Sequence, residues 1–163
     1  MQYNANAPYL TETHLKISKV IDGDSIKVVS QFSKTEKEIR LYGLDCPETQ
    51  KSRKLKEDEM KTHVAGEFLL KLGRIATEFV LQYAPPGTSV TLITEQINPV
   101  DYYGRQLAYV ILPNGDCLNE LLLREGYAKP MNEYSCGMLP TFQQLNFSAK
   151  QSGKGLYAYI GNF

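Results

Sequence analysis

The amino-acid sequence predicts an α+β fold, a five-stranded Greek-key β-barrel of the OB type carrying three α-helices. Short runs of alternating apolar and polar residues fall into two groups, one between Leu15 and Leu44 and one between Ser89 and Leu112. Apolar residues at helical spacing separate the two groups and follow the second. Clusters of Gly, Pro, Asn and Asp punctuate these runs, as turns require. The 163 residues fit one domain. A domain near that size buries roughly 70% of the surface its unfolded chain exposes, so it needs neither disulfide nor metal to fold.

Residues 1–14 read as a polar, aperiodic arm and residues 15–163 as the single domain. In the first strand Leu15 and Ile17 alternate with Lys16 and Ser18 and run into Val20-Ile21; in the second Ile26 and Val28 flank Lys27. Asp22-Gly23 between them signals a hairpin, because both residue types tolerate positive φ. The third strand, Glu38 to Leu44, sets Ile39 and Leu41 on one face and Arg40 on the other. The charged stretch from Gln50 to Lys61 has no periodicity and predicts a solvated, disordered loop. Val64, Phe68, Leu72, Ile75, Phe79 and Tyr83 then keep helical spacing, with Glu67, Lys71, Arg74 and Glu78 opposite, until Pro85-Pro86-Gly87 stops the helix. Val90 and Leu92 alternate with Ser89 and Thr91, and Gln106 to Leu112 is the last β-rich run before the turn Pro113-Asn114-Gly115-Asp116. Leu118, Leu121 and Leu122 before Gly126 predict a short helix, and Phe142, Leu145 and Ala149 a last one ending before Gly153.

Composition narrows the classes of function. Lys plus Arg number 18 and Asp plus Glu 18, so the net charge is zero and a histone-like or strongly basic coat protein is excluded. Hydrophobic residues at 42% and charged residues at 22% describe neither a disordered nor a membrane chain. No run of apolar residues is long enough for a transmembrane helix, so no membrane partner is expected. Residues 1–7 lack the basic and apolar regions of a signal peptide, but a secreted or periplasmic protein relieved of its leader would start like a cytoplasmic one. Cys46, Cys117 and Cys136 are too scattered for a disulfide framework or zinc site, and His14 and His63 too few for a multi-histidine metal centre.

Three segments carry charge where folding does not ask for it. Val20-Ile21-Asp22-Gly23-Asp24-Ser25 puts a second acid at the mouth of a strand. Ile39-Arg40-Leu41-Tyr42-Gly43-Leu44-Asp45-Cys46-Pro47-Glu48 is a strand that carries an Arg and ends in two carboxylates. Asp101-Tyr102-Tyr103-Gly104-Arg105 is a turn with an Arg at the start of the last strand. Each has an ordinary reading on its own: a turn, a solvated strand Arg in a weak ion pair, a loop.

Together and in this order the three segments resemble the staphylococcal nuclease (thermonuclease) family. The resemblance runs from Leu15 to Pro130 and resumes from Ala149 to Tyr157, where Gly155-Leu156-Tyr157 is similar to the family's closing Gly-Leu-Trp. It implies an OB-type barrel with three helices and a calcium-dependent endonuclease-type hydrolase that cleaves DNA and/or RNA with little sequence preference, leaving 3′-phosphate ends. The resemblance further implies that Asp24, Asp45 and the Cys46 carbonyl hold Ca²⁺, with Asp22 behind them. Glu48 is matched to the general base, Arg40 and Arg105 to the pair that grips the scissile phosphate, and Tyr103 to a substrate contact. A monomer is expected.

The chemistry suits those assignments. A phosphodiester's anionic oxygens repel a nucleophile, so catalysis must neutralise charge growing in the transition state. A hard cation on oxygen ligands does this, and Arg binds phosphate oxygens in pairs through its planar fork. The chain departs from a strongly basic nuclease in being neutral, so few phosphate contacts are expected outside the site. Tyr102 and Tyr134 have no clean counterpart and read as ordinary packed or surface residues. The alternative is a non-catalytic OB-fold module that binds nucleic acid or protein. Such modules lose the acids and arginines that this chain keeps.

Overall fold

The computed structural model describes residues 8–163, so residues 1–7 of the expected arm lie outside the described residues. Strands β1 (Tyr9–Val20), β2 (Ser25–Ser30), β3 (Glu36–Leu41), β5 (Ser89–Glu95) and β6 (Gln106–Ile111) close into a barrel in the order β1-β2-β3-β6-β5. Only β3 and β6 run parallel, with Arg40 opposite Leu107; the other neighbours are antiparallel. Beside the barrel, β4 (Leu44–Asp45) pairs with β7 (Lys129–Pro130). The helices are α1 (Arg53–Thr62), α2 (Gly66–Tyr83), α3 (Leu118–Arg124) and α4 (Leu139–Gln151), followed by a 3₁₀ turn at Gly155–Ala158.

The expected barrel is present, and two local expectations are corrected. Residues 9–14 are strand rather than arm: Thr11 pairs with Ile93 and Glu12 with Leu92. A register shift between Glu12 and Leu15, with His14 at φ 59°, bends β1 so that its first half joins β5 and its second half β2. Backbone pairing holds this half of the strand, so it needs no apolar alternation. The second correction is α1, which occupies most of the stretch expected to be a disordered loop and brings the α-helices among the described residues to four where three were expected. Its ten residues bury only Leu55, so no periodicity marks it. It starts because the Ser52 hydroxyl accepts the Leu55 N–H at 3.0 Å, an N-cap worth about 1 kcal/mol. It stops at His63, whose φ is 56°.

Ile17, Ile26, Val28, Ile39, Leu41, Leu92 and Leu107 fill the barrel, each contributing about 1.5–3 kcal/mol by leaving water. Helix α2 lays Leu69, Leu72, Gly73, Ala76, Phe79 and Val80 on the core, while Glu67, Lys71, Arg74 and Glu78 stay in solvent as the pattern predicts. The buried seam therefore lies slightly to one side of the predicted one: Tyr83 is exposed and Leu69 and Val80 are inside. Asn119 on α3 is fully buried and ties three places together. It donates to the carbonyls of Tyr42 (3.1 Å) and Ala108 (3.2 Å) and accepts from the Val110 N–H (3.0 Å). The closing Gly155-Leu156-Tyr157 docks on the turn after α3, with the Leu156 N–H on the Gly126 carbonyl at 2.9 Å. No described helix is long and apolar enough to cross a membrane.

Candidate active site

The site grows from the mouth of the barrel where β2, β3 and β4 meet. Ser25 pairs with Arg40, and the Leu41 N–H bonds the Asp24 carbonyl at 2.9 Å, so register alone sets Asp24 beside Arg40. Gly23 serves this turn differently from the expected way. It has no positive φ; instead, a Cβ there would come within 2.7 Å of the Cys46 sulfur and 3.1 Å of Ala76 Cβ. A side chain at position 23 would push the Asp22–Asp24 turn off the Asp45–Cys46 segment.

Arg40 and the two acids form a buried cluster. Arg40 Nη1 lies 3.2 Å from Asp24 Oδ2, and Nη2 lies 3.1 Å from Asp45 Oδ1. The Cys46 N–H donates to Asp24 Oδ2 at 2.9 Å, and Ser25 Oγ donates to Asp24 Oδ1 at 3.2 Å. Asp22 Oδ1 accepts the Asp24 N–H at 3.2 Å and so orients the acid behind which it was expected. The Cys46 thiol donates to the Tyr127 carbonyl at 3.3 Å, while its own carbonyl accepts from the Lys54 ammonium at 3.2 Å. Burial pushes that thiol well above its ordinary pKa, His14 sits against Phe32, and His63 ends α1, so no thiolate nucleophile is built here.

Sequence reasoning missed Lys54. Its ammonium donates to Asp45 Oδ1 at 2.8 Å, Glu48 Oε1 at 3.0 Å and the Cys46 carbonyl at 3.2 Å. Ser52, which caps α1, also donates to Glu48 Oε2 at 2.9 Å. The first turn of α1 is therefore fastened to Glu48 twice. Only the fold brings Lys54 here, and the charge-rich stretch offered no spacing that singled it out.

Arg105 approaches from the other side on a rigid turn. Asp101, whose side chain is fully buried, accepts the N–H groups of Tyr103 (2.9 Å) and Arg105 (2.8 Å) on one oxygen and Arg105 Nε (2.7 Å) on the other. Gly104 takes φ 78° to complete the turn. Arg105 also reaches Ser25 Oγ (3.3 Å) and Glu38 (3.4 Å) and lies 5.6 Å from the Tyr103 ring centre. Tyr103 is 84% exposed and Tyr102 79%. Tyr102 and Tyr134 pair at 5.2 Å between ring centres and line the same cavity of about 490 Å³ as Asp24, Asp45, Glu48 and both arginines.

Charge balance in this cluster is tight. Burial raises the Asp24 carboxyl, but Arg40 and Lys54 outweigh it and hold the acid below its ordinary value. Burial wins at Asp45, helped by repulsion from Asp24, and its pKa rises. Burial and the Asp24 charge push Asp22 up to about 7. Lys54 is raised, because the attraction of Asp45 and Asp24 exceeds the cost of burying its charge. Arg105 is likewise raised: Asp101 overcomes the burial cost.

Among the described residues no three His, Cys, Asp or Glu side chains cluster as a metal cage. The donor set expected here has only two carboxylates, with a backbone carbonyl as the third. All three donors are oxygens, which suits a hard cation such as Ca²⁺ that fills its remaining positions with water. Asp45 and the Cys46 carbonyl already converge on one positive nitrogen, so the residues present fit such an ion.

Known proteins resemble this chain in sequence. Endonuclease YhcR of Bacillus subtilis (strain 168) is 27% identical over 172 residues, covering 90% of this chain and 13% of that protein. An uncharacterized protein of Bacillus anthracis is 32% identical over 152 residues, covering 90% of this chain and 61% of its own length. An uncharacterized endonuclease of Escherichia coli is 28% identical over 148 residues, covering 90% of this chain and 78% of its own. The chain thus spans less than two thirds of either Bacillus relative. A family model described as staphylococcal nuclease homologue matches residues 38–159, which begin after Asp24 and hold Arg40, Asp45, Cys46, Glu48 and Arg105. With most of its length inside that match, the chain belongs to the staphylococcal nuclease homologue family.

Proposed function

We propose that this protein is a Ca²⁺-dependent nuclease that hydrolyses DNA and/or RNA with little sequence preference and leaves 3′-phosphate ends. The observation that carries the reading is the meeting of two buried acids, Glu48 and Arg105 in one cavity beside exposed tyrosines, with the Cys46 carbonyl bonded to the same lysine as Asp45 and Glu48. A folding domain gains little from burying Asp24, Asp45 and Arg40 at its rim, since replacing such clusters by apolar residues is often neutral or stabilising.

Asp24, Asp45 and the Cys46 carbonyl would hold the ion. Bound there, Ca²⁺ would draw charge from the phosphate oxygens and leave phosphorus open to attack. Arg105, fixed by Asp101 through Nε and reaching Ser25 and Glu38 through Nη1, offers Nη2 to a phosphate oxygen. Arg40 contributes its charge from within the acid cluster. Glu48 accepts a proton from the attacking water as the new P–O bond forms. The bond from phosphorus to the 5′-oxygen breaks, and that oxygen takes a proton from solvent, giving a 3′-phosphate and a 5′-hydroxyl. Tyr103 stands ready to stack a base or sugar, and the sequence tolerance of stacking suits weak base preference.

Hydrolysis of single-stranded DNA with Ca²⁺ or with a chelator, beside Asp24→Ala and Glu48→Gln, tests the reading. Cleavage is expected only with Ca²⁺ and is lost in both variants, and the products accept polymerase extension only after dephosphorylation. Cleavage that persists in the variants, or none at any Ca²⁺ concentration, overturns it.

A further inference from the structure

We infer that Lys54 is a built-in competitor of the divalent cation: its ammonium takes the oxygens of Asp45 and Cys46, and the ion loads only as this side chain leaves. The inference rests on the calcium reading above and names what regulates that same site.

An ammonium has three N–H donors, and all three of Lys54's find acceptors: Asp45 Oδ1, the Cys46 carbonyl and Glu48 Oε1, at 2.8, 3.2 and 3.0 Å. Two of these are oxygens expected to hold the ion, and the third belongs to the expected base. A divalent ion bound to the same carboxylate oxygen and the same carbonyl would stand almost against this nitrogen, and two unlike-sized cations cannot share that position. While Lys54 is docked, both Glu48 oxygens also accept a hydrogen bond, one from Lys54 and one from Ser52, so the lysine's departure also opens one oxygen of the expected base.

The lysine can leave. Its side chain is 37% exposed, and its flexible four-carbon stem can swing the ammonium into solvent with the helix in place. Arg53, one residue away, carries the same charge but is 93% exposed and bonds only Glu57. It separates direct competition from a general effect of charge.

The test measures Ca²⁺ binding by calorimetry to the wild type, Lys54→Met and Arg53→Met, with no substrate present. Lys54→Met is expected to bind Ca²⁺ about tenfold tighter or more, the change expected when a unit charge in near contact is removed, and Arg53→Met within about twofold of wild type. Equal affinities in all three proteins, or the same gain in both variants, overturn the competition and leave the calcium site standing. No binding to any of them removes the calcium reading and the competition with it.

A second measurement needs no variant. Amine acetylation of the wild-type protein, read by mass spectrometry, is expected to modify Lys54 several-fold faster with Ca²⁺ than with chelator, while Lys56 is unchanged. Lys54 labelling that stays constant or slows when Ca²⁺ binds overturns the inference.

Discussion

The Cβ position of Gly73 on α2 points straight at the backbone of Glu48: a methyl group there would lie 2.2 Å from the Glu48 carbonyl and 2.6 Å from that of Pro47. The helix thus serves as the anvil against which the Pro47–Glu48 segment is shaped. Neither contact is with a flexible side chain, so only backbone movement can relieve a clash. Gly73→Ala is expected to lose about 1–3 kcal/mol of stability through overpacking. Displacement of the proposed base by about an ångström is expected to cost roughly a hundredfold in kcat. Urea unfolding and single-turnover cleavage check the two effects separately, and full activity in a folded variant would refute the positioning role.

Asp101 is expected to act through Arg105. It holds that arginine by the main chain and by Nε, and it is buried where water cannot replace it. Asp101→Ala strands three N–H groups, the main-chain ones of Tyr103 and Arg105 and Arg105 Nε, which costs about 1–3 kcal/mol each when no new partner is found. Cleavage is expected to fall as far as in Arg105→Ala, about a hundredfold to a thousandfold, the loss typical of one anion-stabilising donor. The double variant settles the assignment: it is expected to be no slower than Arg105→Ala alone. A further tenfold loss would show that Asp101 has a separate role.

The barrel was legible because alternation writes burial directly into the chain: Ile39 and Leu41 are inside and Arg40 faces the site, as their spacing implies. The acids and arginines were legible by motif, and the fold brings all of them to one cavity. What escaped were features whose cause lies elsewhere in the chain. Helix α1 has one buried residue, and its evidence is a cap and two bonds to Glu48 that exist only after folding. Gly23 was legible as a necessary glycine, but for the wrong reason: the constraint is the sulfur of a residue more than twenty positions away. Asp101 could have been recognised from the start of an Asx turn that ends at Gly104, a pattern with its own local mechanism.

Glu12 gives the barrel a pH dependence away from the site. It sits at the bend of β1 and joins β3 and β6, bonding Lys37 and accepting from Gln106 Nε2 at 2.6 Å. Burial raises its carboxyl, but these two partners outweigh that and hold its pKa below the ordinary value. A carboxyl depressed in the folded state adds stability above its unfolded pKa, and that contribution is lost as pH falls through the folded value. Glu12→Gln is therefore expected to destabilise the protein at pH near 7 and to approach the wild type at acid pH, as the pH falls through the lowered folded value and the wild-type carboxyl becomes neutral. Urea midpoints at the two pH values check this. A difference that does not change with pH would assign the effect to packing.

Affinity for single strands should depend only weakly on salt. Few positive charges in the cavity are free for phosphate: Arg40 is spent on Asp24 and Asp45, and Lys54 on Asp45 and Glu48. Arg105 and Arg53 are paired as well, with Asp101 and Glu38 and with Glu57, but both are more exposed than Arg40, on a chain whose net charge is zero. About two to four phosphate contacts, at roughly 0.7 per contact, give a slope of log affinity against log salt between about −1.4 and −2.8. Binding of the inactive Glu48→Gln variant to a labelled single strand measures it without cleavage. A slope near −7, corresponding to about ten contacts, would mean that the strand runs over basic surface well beyond this cavity. Should Ca²⁺ release Lys54 from Asp45, that lysine becomes one more free cation, and the slope is expected to steepen by about 0.7 when the ion is present.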